Sequence, residues 1–108
     1  MAIDEGLAEE MRAVLAARGD IDEKKMFGGL AWMERGNMLC GTRDDDYLFR
    51  VGKDGQAAAL KLPGAKLMEM GGRTMAGFVW VDGGNATEYG LDRWVDLAAA
   101  FVDTLPPK

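Results

Sequence analysis

The sequence predicts an α+β fold in which two layers, helices and a mainly antiparallel sheet, pack against each other. Amphipathic helical patterns lie near both ends of the chain, and short β-forming segments joined by turns lie between them. Together they give the order α-β-β-β-α-β-β-α. The 108 residues, 48% hydrophobic and 29% charged, suit one domain with a modest core. We therefore expect a single domain over residues 1–108.

The first predicted element is an amphipathic helix over residues 4–18. Its apolar side chains recur at helical spacing and are Leu7, Met11, Val14 and Leu15. Asp4 is expected to cap its N-terminus, and Gly19 is expected to end it.

A β-hairpin is predicted next, with strands near residues 25–33 and 37–42 and with Gly36 in the turn. A third strand over residues 47–51 extends it into an antiparallel meander. The first of these strands has apolar side chains on both faces. We therefore expect the helices to cover one face of the sheet and to leave the other partly uncovered.

The second half of the chain is predicted to contain a short helix, two strands and a final helix. Residues 54–61 are predicted to form a short helix that Pro63 ends, because proline lacks an amide hydrogen. Strands are predicted over residues 66–70 and 77–81, joined by a glycine-rich loop. A final helix, ended by Pro106 and Pro107, has the clearest apolar stripe in the chain: Leu91, Trp94, Val95, Ala98, Phe101, Val102 and Leu105.

Composition argues against most catalytic chemistry. The chain has no histidine, which is the commonest general base and nitrogen ligand for metals, and it has a single cysteine, Cys40. We expect no catalytic set, no metal site and no cofactor. Cys40 is interpreted as a small apolar side chain of a strand, since free cysteine is often buried.

Charge and targeting signals indicate where the protein acts. The net charge of -5 repels nucleic-acid phosphates at long range and does not attract anionic membranes. The N-terminus shows no secretory pattern, and one cysteine cannot pair within the chain. These features predict a cytoplasmic protein without membrane contact, for which direct nucleic-acid binding is disfavoured.

Two glycine-containing blocks of the sequence are distinctive as a pair. The first is Lys25-Met26-Phe27-Gly28-Gly29, with Gly36-Asn37-Met38 and Tyr47-Leu48-Phe49-Arg50-Val51 after it, and the second runs from Gly72-Arg73-Thr74-Met75 to Val81. Together they resemble the TfoX/Sxy N-terminal domain family. The resemblance extends from about Leu7 to the C-terminus. It implies a compact α+β domain similar to the secretion-chaperone-like fold, and it implies no catalytic residues.

The family is named for bacterial regulators of natural competence, in which a helical C-terminal domain follows this one. Here the sequence ends at Pro106-Pro107-Lys108, so we expect the N-terminal domain alone. That difference weakens the expectation of a direct role in competence.

Three functions follow as hypotheses. The first is a non-enzymatic interaction domain that contacts a protein, or a second copy of itself, through a sheet edge or the uncovered face. The second is binding of a small anionic ligand by Arg50, Lys53 or Arg73, and the third is weak association with nucleic acid in transcriptional regulation. The candidate interaction residues are Lys25, Phe27, Gly28, Gly29, Trp32, Arg50 and Arg73.

Overall fold

The computed structural model describes residues 5–26, 28–70 and 72–107, and these form ten helices and strands. In chain order they are α1 (Glu5–Leu15), β1 (Ile21–Met26), β2 (Gly29–Glu34), β3 (Asn37–Arg43), β4 (Asp46–Arg50), α2 (Gly52–Leu60), β5 (Ala65–Met70), β6 (Arg73–Asp82), α3 (Gly83–Tyr89) and α4 (Leu91–Val102). The predicted α+β class is confirmed. Among these residues no helix is long and apolar enough to cross a membrane.

The six strands form one antiparallel sheet in the order β1-β2-β3-β4-β6-β5. The predicted meander is confirmed as β2, β3 and β4, with Trp32 opposite Cys40 and Cys40 opposite Phe49. The last two strands also form a hairpin, but β6 lies between β4 and β5. The edges of the sheet are therefore β1 and β5.

The prediction of one continuous strand over residues 25–33 is wrong. Two strands, β1 and β2, replace it, and the chain turns between them at Gly28, whose φ is +76°. That left-handed conformation favours glycine. A Cβ atom on the next glycine, Gly29, would overlap the carbonyl oxygen of Thr42 on β3. The two glycines thus serve the turn and the close approach of two strands.

Other element boundaries also differ from expectation. Strand β6 begins at Arg73, so three residues of the predicted loop over residues 71–76, Arg73 to Met75, are paired with β5. The short helix α3 was not predicted, and Asp82 caps it by accepting hydrogen bonds from the backbone amide and the side chain of Asn85. The final helix ends at Val102, before the prolines.

The main core lies between one face of the sheet and the helices. It contains the buried side of α4, including Trp94, which stacks on Phe49 of β4 at a centroid distance of 5.0 Å. Helix α1 contributes Ala8, Met11 and Leu15. Trp32 lies in the same core, 2% exposed, and its indole nitrogen donates to Glu23 at 3.0 Å.

A second, smaller cluster lies on the opposite face of the sheet, which we call the strand face. Its buried members are Leu48, Met68 and Trp80, and half-buried Met38, Met75 and Phe78 pack against them. All six belong to strands, and no described helix contributes to the cluster. As expected, then, the described helices cover one face, while the other is shielded by its own side chains.

The two edge strands differ in character. Strand β1 is exposed over most of its length and has four consecutive charged residues, Asp22 to Lys25, which protect an edge against unwanted strand pairing. Strand β5 has charges at Lys66 and Glu69 alone, and its Leu67 is 38% exposed.

Candidate functional site

An irregularity in β6 shapes a cleft on the surface of the domain. Strands β5 and β6 pair on both sides of residues 76–78, which have no partner on β5. Gly77, at the centre, has a φ of +88°, a conformation that glycine adopts without strain. Its carbonyl accepts the amide of Val51 at 2.8 Å, and its own amide donates to Gln56 Oε1 at 2.6 Å. The bulge is thereby fixed to the start of α2.

Helix α4 closes the other side of this cleft. Gly52, the first residue of α2, has a φ of +78°, and a Cβ atom there would overlap the ring of Phe101. A bare backbone at this position lets the N-terminal end of α2 approach α4 closely. Strand, bulge and two helices therefore meet around one concavity.

We call this concavity the Arg50 cleft. Its volume is about 410 Å³, within the range of small-molecule sites in proteins. Its lining residues are Arg50, Gly52, Lys53, Asp54, Ala76, Gly77, Phe78 and Phe101. The two cations, Arg50 and Lys53, are two of the three candidates of the anion-binding hypothesis, which requires at least two of them to converge in a concave pocket. The third, Arg73, is exposed at the start of β6 and does not line the cleft.

Arg50 is held by aromatic rings. Its guanidinium carbon lies 5.7 Å from the ring centroid of Phe78 and 5.4 Å from that of Phe101, which is cation–π geometry. The side chain is half-buried, and no described carboxylate lies within 4.0 Å of its nitrogens. By contrast, Arg12, Arg18 and Arg35 each form ion pairs with carboxylates. Arg50 is thus oriented while its hydrogen-bonding groups stay available.

The remaining candidate residues are dispersed. Lys25 is exposed on the edge strand β1, and Gly28 is exposed in the turn that follows it. Gly29 and Trp32 are buried, which removes both from direct contact with a partner in this conformation. Phe27 lies outside the described residues. Of the six candidates that the structure describes, Arg50 lines the cleft and the other five do not.

Cys40 is a core residue. It is fully buried, and its thiol lies 3.7 Å from the sulfur of Met11. Burial raises the pKa of the thiol well above its usual range; the positive charge of Arg18 opposes this shift without cancelling it, and the carboxylate of Glu34 adds to it by a smaller amount. The thiolate needed for nucleophilic chemistry is therefore strongly disfavoured.

Sequence reasoning missed most of the apolar lining of the cleft. Phe101 belongs to the apolar stripe of the final helix and Phe78 to a β-forming run, so both were interpreted as packing residues. Arg50 and Phe101 are 51 positions apart in the chain. Nothing in the sequence shows that the bare backbone of Gly52 lets the ring of Phe101 contact Arg50. The positive φ values of Gly52 and Gly77 had no recognisable sequence signal.

Comparison with known proteins supplies the family. The model of the TfoX N-terminal domain matches residues 13–102, which is most of the chain. No curated protein and no solved structure matches significantly. The matched region includes both glycine-containing blocks and every lining residue of the Arg50 cleft. The chain belongs to the TfoX N-terminal domain family.

Proposed function

We propose that this chain is a non-enzymatic regulatory domain that binds an acidic protein partner on its strand face. Family membership supports a competence-regulator-like domain. The observation that carries the proposal is the combination of apolar and cationic side chains on a sheet face that no described helix covers.

The apolar part of the surface is centred on Trp80. Four partly exposed side chains lie on the same face, because residues opposite one another in a sheet share a face. They are Met26, Met33, Met38 and Met75. Methionine side chains are flexible and polarisable, and they adapt to apolar partners of varied shape. This surface is suited to an apolar anchor residue of a partner.

Cations surround this apolar centre. One row of opposed residues crosses all six strands and has a lysine at each end: Lys24, Ala31, Gly41, Leu48, Trp80 and Lys66. Arg43 lies over the Trp80 ring at 4.9 Å from its centroid. Arg50 and Arg73 share the face by register.

Three acids share the strand face, and two of them have local roles. Asp46 lies opposite Arg43, and Asp82 caps α3. Asp22 is the third. The face is therefore net positive on a chain of net charge -5, which favours an acidic partner through charge complementarity.

The same charges disfavour two other occupants. Two copies of the chain that met through their strand faces would bring like charges together. Nucleic acid would gain from the cations but would be repelled at long range by the acidic remainder of the chain. A protein segment that combines acidic and apolar residues fits both features of the face.

Absence of enzymatic activity is part of the proposal. The described residues offer no thiol in a reactive environment, since Cys40 is buried and its pKa is raised. Histidine is absent from the whole sequence. A reduced, unpaired thiol also suits the cytoplasm, which we infer as the site of action.

The decisive experiment is quantitative affinity capture from cells of the source organism. The tagged protein is compared with the double variant Lys24→Glu/Lys66→Glu, which reverses the charge at both ends of the row on the strand face. The matched control is Lys25→Glu/Lys61→Glu, which makes the same charge change at exposed positions on β1 and at the C-terminal end of α2. We expect an acidic protein that the wild type and the control capture and the strand-face variant loses.

Purified partner and domain then provide the quantitative test. Their affinity should fall as salt is raised from low to physiological concentration, because exposed charges are screened. Equal capture by all three proteins, or a partner without net negative charge, would contradict the proposal. A mobility shift with nucleic acid that the strand-face variant abolishes would replace the protein partner by nucleic acid.

A further inference from the structure

We infer that the Arg50 cleft is a binding site for a small organic monocarboxylate with an apolar body, such as an aryl acid. This inference goes beyond the proposed interaction with a protein partner. It rests on the contacts of Arg50 with two aromatic rings in the lining of a cleft of about 410 Å³.

The guanidinium supplies the recognition of the acid. A planar guanidinium matches a carboxylate with two parallel hydrogen bonds, and such charge-assisted bonds are stronger than neutral ones. The rings of Phe78 and Phe101 contact Arg50 through cation–π interactions, which do not use the N–H donors that would bind a carboxylate. No described carboxylate is within ion-pair distance to compete for those donors.

The walls supply the recognition of the apolar body. Phe78, Phe101 and Ala76 offer hydrocarbon surface, and the two glycines of the lining let a ligand approach the backbone closely. A bare inorganic anion would leave this apolar wall wet and gain nothing from it. The lining therefore favours an amphipathic organic acid over a free ion.

The charge balance sets the charge of the ligand. Two cations, Arg50 and Lys53, and one carboxylate, Asp54, line the cleft, which leaves a net charge of about +1 on the lining. A monoanion balances this charge, whereas a dianion such as a phosphate monoester would be repelled by Asp54. The inference is accordingly a carboxylate and not a phosphate.

The test is a titration of the isotopically labelled full chain with phenylacetate, followed by nuclear magnetic resonance. Phenylacetamide, of the same shape without the charge, and inorganic phosphate are the comparison probes. We expect saturable shifts with phenylacetate at the amides of residues 50–54 and 76–78, and much weaker binding of both comparison probes.

Four variants locate the site. Arg50→Gln and exposed Lys53→Gln should each weaken phenylacetate binding about tenfold, the loss expected for a charge-assisted contact. Arg73→Gln is the matched control outside the cleft and should change the affinity by less than about twofold. Asp54→Asn should strengthen phenylacetate binding and admit phosphate.

The inference is overturned if phenylacetamide or phosphate binds as tightly as phenylacetate, if no saturable shift occurs, or if Arg73→Gln weakens binding as much as Arg50→Gln. If Arg50→Gln fails to fold, Lys53→Gln alone decides between these outcomes. The probes need no protein partner, and the cleft variants differ from the strand-face variants. Failure of one proposal therefore leaves the other intact.

Discussion

Arg18 and Glu34 form a two-point ion pair that joins the segment after α1 to the end of β2. Nε of Arg18 lies 2.6 Å from Oε1 of Glu34, and Nη2 lies 3.1 Å from Oε2. The Glu34 side chain is 5% exposed, and Arg18 also contacts Asp103 beyond α4 at 3.3 Å. Three segments that are distant in sequence therefore meet at the guanidinium of Arg18.

Replacing Glu34 by Gln should destabilise the fold by about 2 kcal/mol, because the partly buried guanidinium of Arg18 then keeps only its longer contact with the exposed Asp103. The free energy of unfolding in urea measures this change. Asp103→Asn is the control: its side chain is 50% exposed, and the loss should stay below about 0.5 kcal/mol. Equal losses in the free energy of unfolding for the two variants would contradict the claim that burial of Glu34 makes its ion pair with Arg18 the more stabilising one.

Gly29→Ala should destabilise the protein by about 2 kcal/mol or more, since the added methyl group would overlap backbone of β3 at Thr42. The matched control is Gly19→Ala, where a Cβ atom would meet nothing within 4 Å. That variant should be neutral or slightly stabilising, because alanine restricts the unfolded chain. Thermal unfolding of both proteins separates the effects, and similar melting temperatures would contradict the close approach of β2 and β3.

Asp82→Ala should cost about 1 kcal/mol by removing the N-cap of α3, whereas Asp82→Asn should keep most of the cap. Hydrogen bonds from the Asn85 side chain and backbone amide lower the pKa of Asp82 in the folded chain. Its charge therefore stabilises the fold above its unfolded pKa of about 4, and this contribution is lost as the pH falls through the lower folded value.

The contribution of Asp82 to the pH dependence of stability can be separated from the contributions of the other acids by comparing the wild type with Asp82→Asn. Urea unfolding of both proteins at about pH 7 and about pH 3 gives the difference in stability at each pH. This difference should shrink on acidification. A difference that stays constant would contradict the role of the charged cap.

The buried thiol of Cys40 should resist alkylation in the native protein and react once the chain is unfolded in denaturant. Burial disfavours the reactive thiolate and blocks access of the reagent. Mass spectrometry of iodoacetamide-treated protein measures the modified fraction, and Cys40→Ala gives the background. Rapid, complete modification without denaturant would contradict this burial.

Sequence patterns predicted the class, the meander and the final helix because these depend on local periodicity and β propensity. Strand β1 was not predicted because its four consecutive charged residues show no alternation of apolar and polar side chains. Such a run can still form a strand here, since both faces of an exposed edge strand tolerate charged side chains. Helix α3 escaped because it begins with two glycines, which have low helix propensity, and depends on the cap from Asp82. Neither element has a strong signal of its own in the sequence: β1 depends on pairing with β2, and α3 depends on its cap.

The candidate site was less predictable than the fold. Arg50 and Lys53 were identified as anion candidates from residue type and position. Their convergence with Phe78 and Phe101 depends on a bulge in β6 and on the packing of α2 against α4. These are distances between segments far apart in the chain, and periodicity carries no information about them.

The unequal edges of the sheet limit how copies of this chain can assemble. A strand can add to β5, where charge is sparse and Leu67 is exposed, but the charged edge at β1 resists such addition. Growth of a continuous intermolecular sheet requires two receptive edges on every subunit. With one receptive edge, pairing at β5 would terminate the sheet, so the unequal edges disfavour growth of this protein into fibrils.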